Sequence, residues 1–162
     1  MEMQTNQIEL EIQKEAELLK RTYLTFGIAQ QNYAVAVRYV IEIVRMQIIT
    51  EIPDVPEYIR GVINLRGHVI PVMDTRTRFN LPTEDYTERT CIIVIKIAEE
   101  ETGLIVERVN EVLQIPESCI QAPPPSWEAE HQQRFVQNLG RIEEQIVVLL
   151  NLEELISKFP RE

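Results

Sequence analysis

The sequence predicts an all-β protein made of two small β-barrels, with a helix ahead of them and a short helix behind. Three observations carry that prediction. From Thr22 onward the chain breaks into short runs rich in Val, Ile and Tyr, separated by Gly, Pro, Asn and Gln, as short strands and tight turns require. The order of those runs recurs, since Leu24–Val44 lies on Ile93–Leu113 without a gap at a constant offset of 69. Five of those 21 pairs are identical: Ile28/Ile97, Ala29/Ala98, Val37/Val106, Val40/Val109 and Glu42/Glu111. Finally, each unit is too long for a solenoid repeat and holds about five short strands, enough to close a small barrel filled by Val, Ile and Leu.

Taken in order, residues 6–21 place Ile8, Ile12 and Leu19 at helical spacing among Ala, Glu, Gln and Lys, which predicts one weakly docked N-terminal helix. Tyr23–Ala29 and Tyr33–Val37 are strand-like and flank a turn at Gln30-Gln31-Asn32. Val40–Thr50 supplies one or two further strands, and Pro53 and Pro56 mark a loop. Gly61–Leu65 and Val69–Met73 form a hairpin across Arg66-Gly67-His68, where Gly67 can take the positive φ of a tight turn. Asp74 caps a following turn or short helix.

In the second unit Asn138-Leu139 and Ile146–Asn151 echo Asn64-Leu65 and Val69–Asp74, at offsets that imply a hairpin three residues longer. Residues 121–127, Gln-Ala-Pro-Pro-Pro-Ser-Trp, read as a stiff exposed segment. Asn151 opens the last helix. The expected organisation is a helical extension at 1–21 and one domain at 22–156. Within it lie a first subdomain at about 22–81 and a second at about 90–150, with the final helix at 151–157.

The 162 residues carry a net charge of −10, which argues against a nucleic-acid partner, because phosphate backbones are held by Lys and Arg. Residues 22–81 hold six Arg, no Lys and five acids, whereas 82–130 hold three basic residues against eleven acids. No apolar run approaches a membrane span, and the Glu-rich first 21 residues do not read as a secretory leader. Two cysteines, Cys91 and Cys119, are too few for a disulfide framework, so a reduced cytoplasm is the expected setting.

The pattern contains no catalytic constellation. His68 and His131 have no Cys or carboxylate at ligand spacing, so neither a metal site nor a cofactor is expected. Cys91 opens an apolar strand with no base to activate it. Gly61 and Gly67 lack the spacing and the lysine of a phosphate-binding loop. What remains is a set of surface-type positions. Arg66 lies beside Gly67 in a hairpin, in a unit whose cations are all arginine, a residue suited to interfaces. Glu42, which recurs as Glu111, reads as an acid tying a turn or pairing with a nearby Arg.

The run Gly61-Val62-Ile63-Asn64-Leu65-Arg66-Gly67, followed by Pro71-Val72-Met73-Asp74-Thr75-Arg76, resembles the CheW family of chemotaxis coupling proteins, and the similarity extends from about Tyr23 to Ile156. The resemblance implies two five-stranded SH3-like barrels and no enzymatic activity. It also implies an adaptor that bridges chemoreceptor cytoplasmic tips to the regulatory domain of the histidine kinase CheA. Other CheW-like domains are further implied partners, and the implied location is cytoplasmic, at membrane-associated receptor arrays. Positions matching the family's receptor-facing set are Val40, Glu42, Gly61, Arg66 and Cys91. Cys91 stands where the family has an aliphatic residue, and the N-terminal helix extends beyond the family core.

Overall fold

A computed structural model describes residues 2–126 and 134–157, with side chains from residue 4 onward. Trp127 and His131 lie outside the described residues. The elements run α1 (Glu2–Lys20), β1 (Thr22–Ile28), β2 (Gln31–Ala36), β3 (Val40–Arg45), β4 (Ile59–Leu65), β5 (His68–Asp74) and α2 (Thr75–Arg78). They continue as β6 (Cys91–Ile97), β7 (Glu100–Val106), β8 (Arg108–Gln114), β9 (Ile120–Gln121), β10 (Val136–Ile142), β11 (Gln145–Leu150) and α3 (Leu152–Ile156).

The strands form a five-stranded sheet, β3-β6-β7-β5-β4, and a six-stranded sheet, β8-β1-β2-β11-β10-β9. The expected all-β fold of two small SH3-like units is what the chain adopts. The sixth strand is the two-residue β9, paired with β10. Its counterpart in the other sheet is a single bridge, in which Thr50 and Val62 exchange two backbone hydrogen bonds of 2.9 Å and return the chain beyond β3 to β4.

The sheets do not follow the sequence repeat, and this corrects the expected subdomain boundaries. The five-stranded sheet takes β3, β4 and β5 from the first half and β6 and β7 from the second. The six-stranded sheet takes β1 and β2 from the first half and β8 to β11 from the second. Neither 22–81 nor 90–150 is therefore a barrel by itself. Each half contributes its first hairpin to one sheet and its last hairpin to the other. Parallel seams join them, β5 with β7 and β11 with β2.

The turns are also tighter than the sequence suggested. Ala29 (φ 56°) and Ala98 (φ 50°) open two-residue turns, so β2 and β7 begin at Gln31 and Glu100. Left-handed backbone at the turn matches the natural twist of the paired strands. The later hairpin is not three residues longer. Leu65 pairs with His68 and Ile142 pairs with Gln145, so both loops hold two residues, and the second part of the repeat runs at a constant offset of 77.

The main core lies between the sheets. Leu24, Phe26, Met73, Ile93, Ile95, Leu104, Leu152 and Leu155 belong to it, each essentially removed from water. Burying one such side chain contributes about 1.5–3 kcal/mol. A second cluster (Ile63, Ile70, Val72, Ile92, Val94, Ile105) fills the five-stranded barrel, and a third (Ala34, Ile115, Val147, Leu149) fills the other. The short helices start as predicted: the Asp74 carboxylate accepts from the backbone N–H groups of Arg76 and Thr77, and the Asn151 side chain from that of Glu154. Helix α1 is exposed along its length, as its weak amphipathicity implies.

Arg78 ties the halves together. Its side chain is buried between the rings of Tyr58 and Phe135, at 4.2 and 4.6 Å, two residues that occupy equivalent places in the repeat. It donates to the backbone carbonyls of Leu155 (2.9 Å) and Glu154 (3.2 Å) at the end of α3. Burial lowers its pKa, an effect opposed in part by Tyr58, and guanidinium still keeps its charge.

Because each barrel needs strands from both halves, we expect segments 1–85 and 86–162 to melt without cooperativity when made separately. Mixed one to one, they should recover a cooperative transition and a dispersed amide spectrum. Cooperative unfolding of either segment alone would contradict the strand exchange.

Candidate functional site

Four of the five residues singled out in the sequence lie on strands of the five-stranded sheet, and the fifth, Arg66, lies in its β4–β5 turn. The structure divides them into three places. Val40 pairs with Ile95, Ile43 with Ile93 and Arg45 with Cys91, so these residues share the face turned toward the other barrel. Val40 and Cys91 are half-buried there, at the edge of the main core. Glu42 pairs with Val94 and points the opposite way, toward the barrel interior. A register shift at Ile41 separates the two orientations, so that Val40 and Glu42 diverge although they stand two residues apart.

Glu42 and Arg66 do meet. The two terminal nitrogens of Arg66 donate to the two carboxylate oxygens of Glu42, each at 2.8 Å. Forked pairs of this kind fix geometry as well as charge. The glutamate is mostly covered, with 20% of its side chain exposed, and the arginine is 76% exposed. The pair therefore closes the barrel end while leaving the cation facing solvent.

The β4–β5 turn holds Arg66 in place. Arg66 (φ 54°) and Gly67 (φ 85°) both take left-handed backbone, and the Asn64 side chain accepts from the Gly67 N–H at 3.0 Å. A non-glycine residue in that conformation costs about 1–2 kcal/mol. In the other barrel the matching turn residue is Glu143 (φ 55°), while Glu111 takes the place of Glu42. The repeat thus preserves the backbone and replaces an ion pair by two acids.

Gly61 belongs to the barrel seam. It is buried, with φ +145°, and a Cβ there would lie 2.1 Å from the Thr50 carbonyl oxygen. Its environment explains its identity through backbone closure. It positions the hairpin that carries Arg66, and any effect of substituting it on a partner passes through the fold.

Among the described residues burial is what shifts the Cys91 thiol, pushing its pKa up, as expected for a packing residue. His68 is exposed at the start of β5, 3.7 Å from a Glu101 carboxylate oxygen. Among the described residues no group of three or more His, Cys, Asp or Glu is placed to hold a metal ion.

Sequence reading did not single out Ile43 or Arg45. Ile43 is 44% exposed beside the buried Ile93, and Arg45 is exposed opposite Cys91. Together with Val40 they line the apolar lip between the barrels. The alternation in Val40-Ile41-Glu42-Ile43-Val44-Arg45 shows that one set faces outward, but the shift at Ile41 conceals which residues those are.

We expect Gly61→Ala to destabilise the fold by more than about 3 kcal/mol, because it combines overlap with backbone and a disfavoured φ. Urea denaturation measures this. A change within about 0.5 kcal/mol, the range of ordinary surface substitutions, would show that the seam tolerates a side chain.

Comparison with known proteins places this geometry in a family. The family model for the CheW-like domain matches residues 22–159. The chain is 33% identical over 138 residues to the probable chemotaxis protein CheW of Rhizobium etli, covering 85% of this chain and 88% of that protein. It is 43% identical over 101 residues to chemotaxis protein CheW of Bacillus subtilis, covering 62% of this chain and 65% of the other. The crystal structure of the scaffolding protein TtCheW from Thermoanaerobacter tengcongensis superposes with a TM-score of 0.77 at 33% identity, covering 84% of this chain and 92% of that one. With its exchanged barrels and its Asn64-Leu65-Arg66-Gly67 turn, the chain belongs to the CheW-like family of chemotaxis scaffold and coupling proteins.

Proposed function

We propose that this protein is a non-catalytic adaptor that couples chemoreceptor cytoplasmic tips to the regulatory domain of the histidine kinase CheA. The observation that carries the reading is the forked Glu42–Arg66 pair, which holds an exposed guanidinium in a left-handed turn at the mouth of one barrel. Strained backbone of this kind is concentrated where surfaces do work. The pair itself adds little stability, because exposed ion pairs contribute about 0–1 kcal/mol. A partner's carboxylate or carbonyl can use the remaining donors of Arg66.

Beside it, Val40, Ile43 and Cys91 form an apolar lip that suits the apolar stripe of a helical hairpin. Gly61 takes part by setting the hairpin. The kinase-facing contact, and contacts with other CheW-like domains, would use further surfaces of the barrels. Two weak contacts made together become strong through effective concentration. Signal transfer is then a coupling free energy, carried by contacts that differ between receptor states. The adaptor would work in the cytoplasm, at membrane-associated receptor arrays. No helix among the described residues is long and apolar enough to cross a membrane.

Calorimetric titration against the CheA regulatory domain, with and without a receptor tip fragment, tests the reading. Arg66→Ala should leave the melting transition nearly unchanged and weaken tip binding by about 1–3 kcal/mol, or roughly 5- to 150-fold. Unchanged binding and unchanged kinase activation in that variant would remove Arg66 from the interface. No binding of the parent protein to either partner would remove the function.

A further inference from the structure

The internal repeat produces two matching pockets, one occupied by the chain itself and one left open. The first, of about 200 Å³, lies where α2 meets the corner between β7 and β8. The second, of about 220 Å³, lies where α3 meets the corner between β2 and β3. Asn151 and Glu153 of the second stand 77 residues from Asp74 and Arg76 of the first. Its Lys20 and Arg38 stand 69 residues from Arg89 and Glu107.

An ion pair and the connector that precedes β6 close the first pocket. Arg76 of α2 pairs with Glu107, whose other carboxylate oxygen accepts from the Ala29 N–H at 2.7 Å. The Arg76 guanidinium also donates to the Pro82 carbonyl at 2.7 Å and stands 3.6 Å from the Glu84 carboxylate. The Tyr86 hydroxyl donates to Asp74 at 3.0 Å. The connector between Leu81 and Thr87 has no regular secondary structure, so the pocket holds an irregular acidic stretch of the chain.

In the second pocket the charges are exchanged and the pair is not made. Glu153 takes the place of Arg76 and Arg38 that of Glu107, but Arg38 lies over the Tyr39 ring at 4.8 Å instead of meeting Glu153. Among the described residues neither Arg38 nor Lys20 has a carboxylate partner, although the chain carries a net charge of −10. The residues that match the connector, 15–20, are the last turns of α1, which is exposed along its length and lends the pocket only Lys20. Gln137, Asn138 and Asn151 add amides to the lining. We propose that this open pocket docks an extended acidic segment of a partner protein, with a carboxylate held between Arg38 and Lys20. The filled twin shows that a pocket of this shape accepts such a stretch. Charge selects the occupant, because a guanidinium released from its own acid is suited to a forked contact with a carboxylate. None of the residues assigned to the receptor takes part, so the proposal stands apart from the adaptor reading.

The test titrates the ¹⁵N-labelled full chain with a capped peptide of the connector's own sequence, Pro-Thr-Glu-Asp-Tyr-Thr-Glu. The amide signals of Arg38, Tyr39, Leu152 and Glu153 should shift saturably, and less at high salt than at low salt. The same peptide with its three acids replaced by their amides should leave them unmoved. Lys20 and Arg38 are exposed, so Lys20→Gln combined with Arg38→Gln should melt as the parent does while weakening the peptide roughly ten-fold. Glu153→Gln should tighten it, since a repelling carboxylate is removed. Peptide binding that is equally strong in the double variant would overturn the proposal, as would no saturable shift in the millimolar range. Shifts confined to Asp74, Arg76 and Tyr86 would also overturn it, because the peptide would then be displacing the connector from the first pocket. So would pocket signals that move in Glu15→Gln combined with Glu17→Gln before any peptide is added, since α1 would then supply the occupant.

Discussion

Completion of each barrel by strands from the opposite half of the chain is the constraint on which everything else rests. A half that folded alone would leave two strands without a sheet and an apolar face against water. Exchange removes both problems at once, because the hairpin ending at Asp74 adds to β7 and the hairpin ending at Leu150 adds to β2. The parallel seams are short, three pairs and two pairs, and therefore depend on the core pressed against them. Phe26, Ile93, Ile95, Leu104 and Leu155 supply that core from both halves.

Arg78 marks where the symmetry breaks to useful effect. A cation buried in a hydrophobic protein is costly unless its donors find acceptors. Here the ends of α3 provide two carbonyls, and Tyr58 and Phe135, one from each copy of the repeat, enclose the guanidinium plane. The equivalent residue in the second copy is Leu155, wholly buried. The repeat position is polar in one copy and apolar in the other, and the chain uses the polar member to fasten the short helices to each other.

The same divergence within a preserved backbone distinguishes the two barrel mouths. The hairpin turns at Arg66 and Glu143 share their left-handed conformation. In one, arginine and glutamate make a forked pair; in the other, glutamate replaces the arginine, and the surface carries acid where its twin carries a cation. Duplicated scaffolds can in this way offer two surfaces of similar shape and opposite charge.

Sequence alone determined most of the strands, the helix caps and where the chain turns, though not how tightly, because these depend on local chemistry: β-branched runs between turn residues, Asp74 and Asn151 at helix starts, Gly67 in a tight loop. It also determined the repeat, and it pointed to Glu42 and Arg66 through residue type and family pattern. Tertiary structure decided which strands share a sheet, since pairing partners lie up to 115 residues apart, as in Tyr33 with Val148, and no local signal distinguishes self-pairing from exchange. It decided that Gly61 serves the barrel seam, because only the approach of Thr50 shows why a side chain is excluded there. It decided the lip of Val40, Ile43 and Cys91 as well, because one bulged residue reverses the facing of a strand and sequence alternation cannot place the bulge.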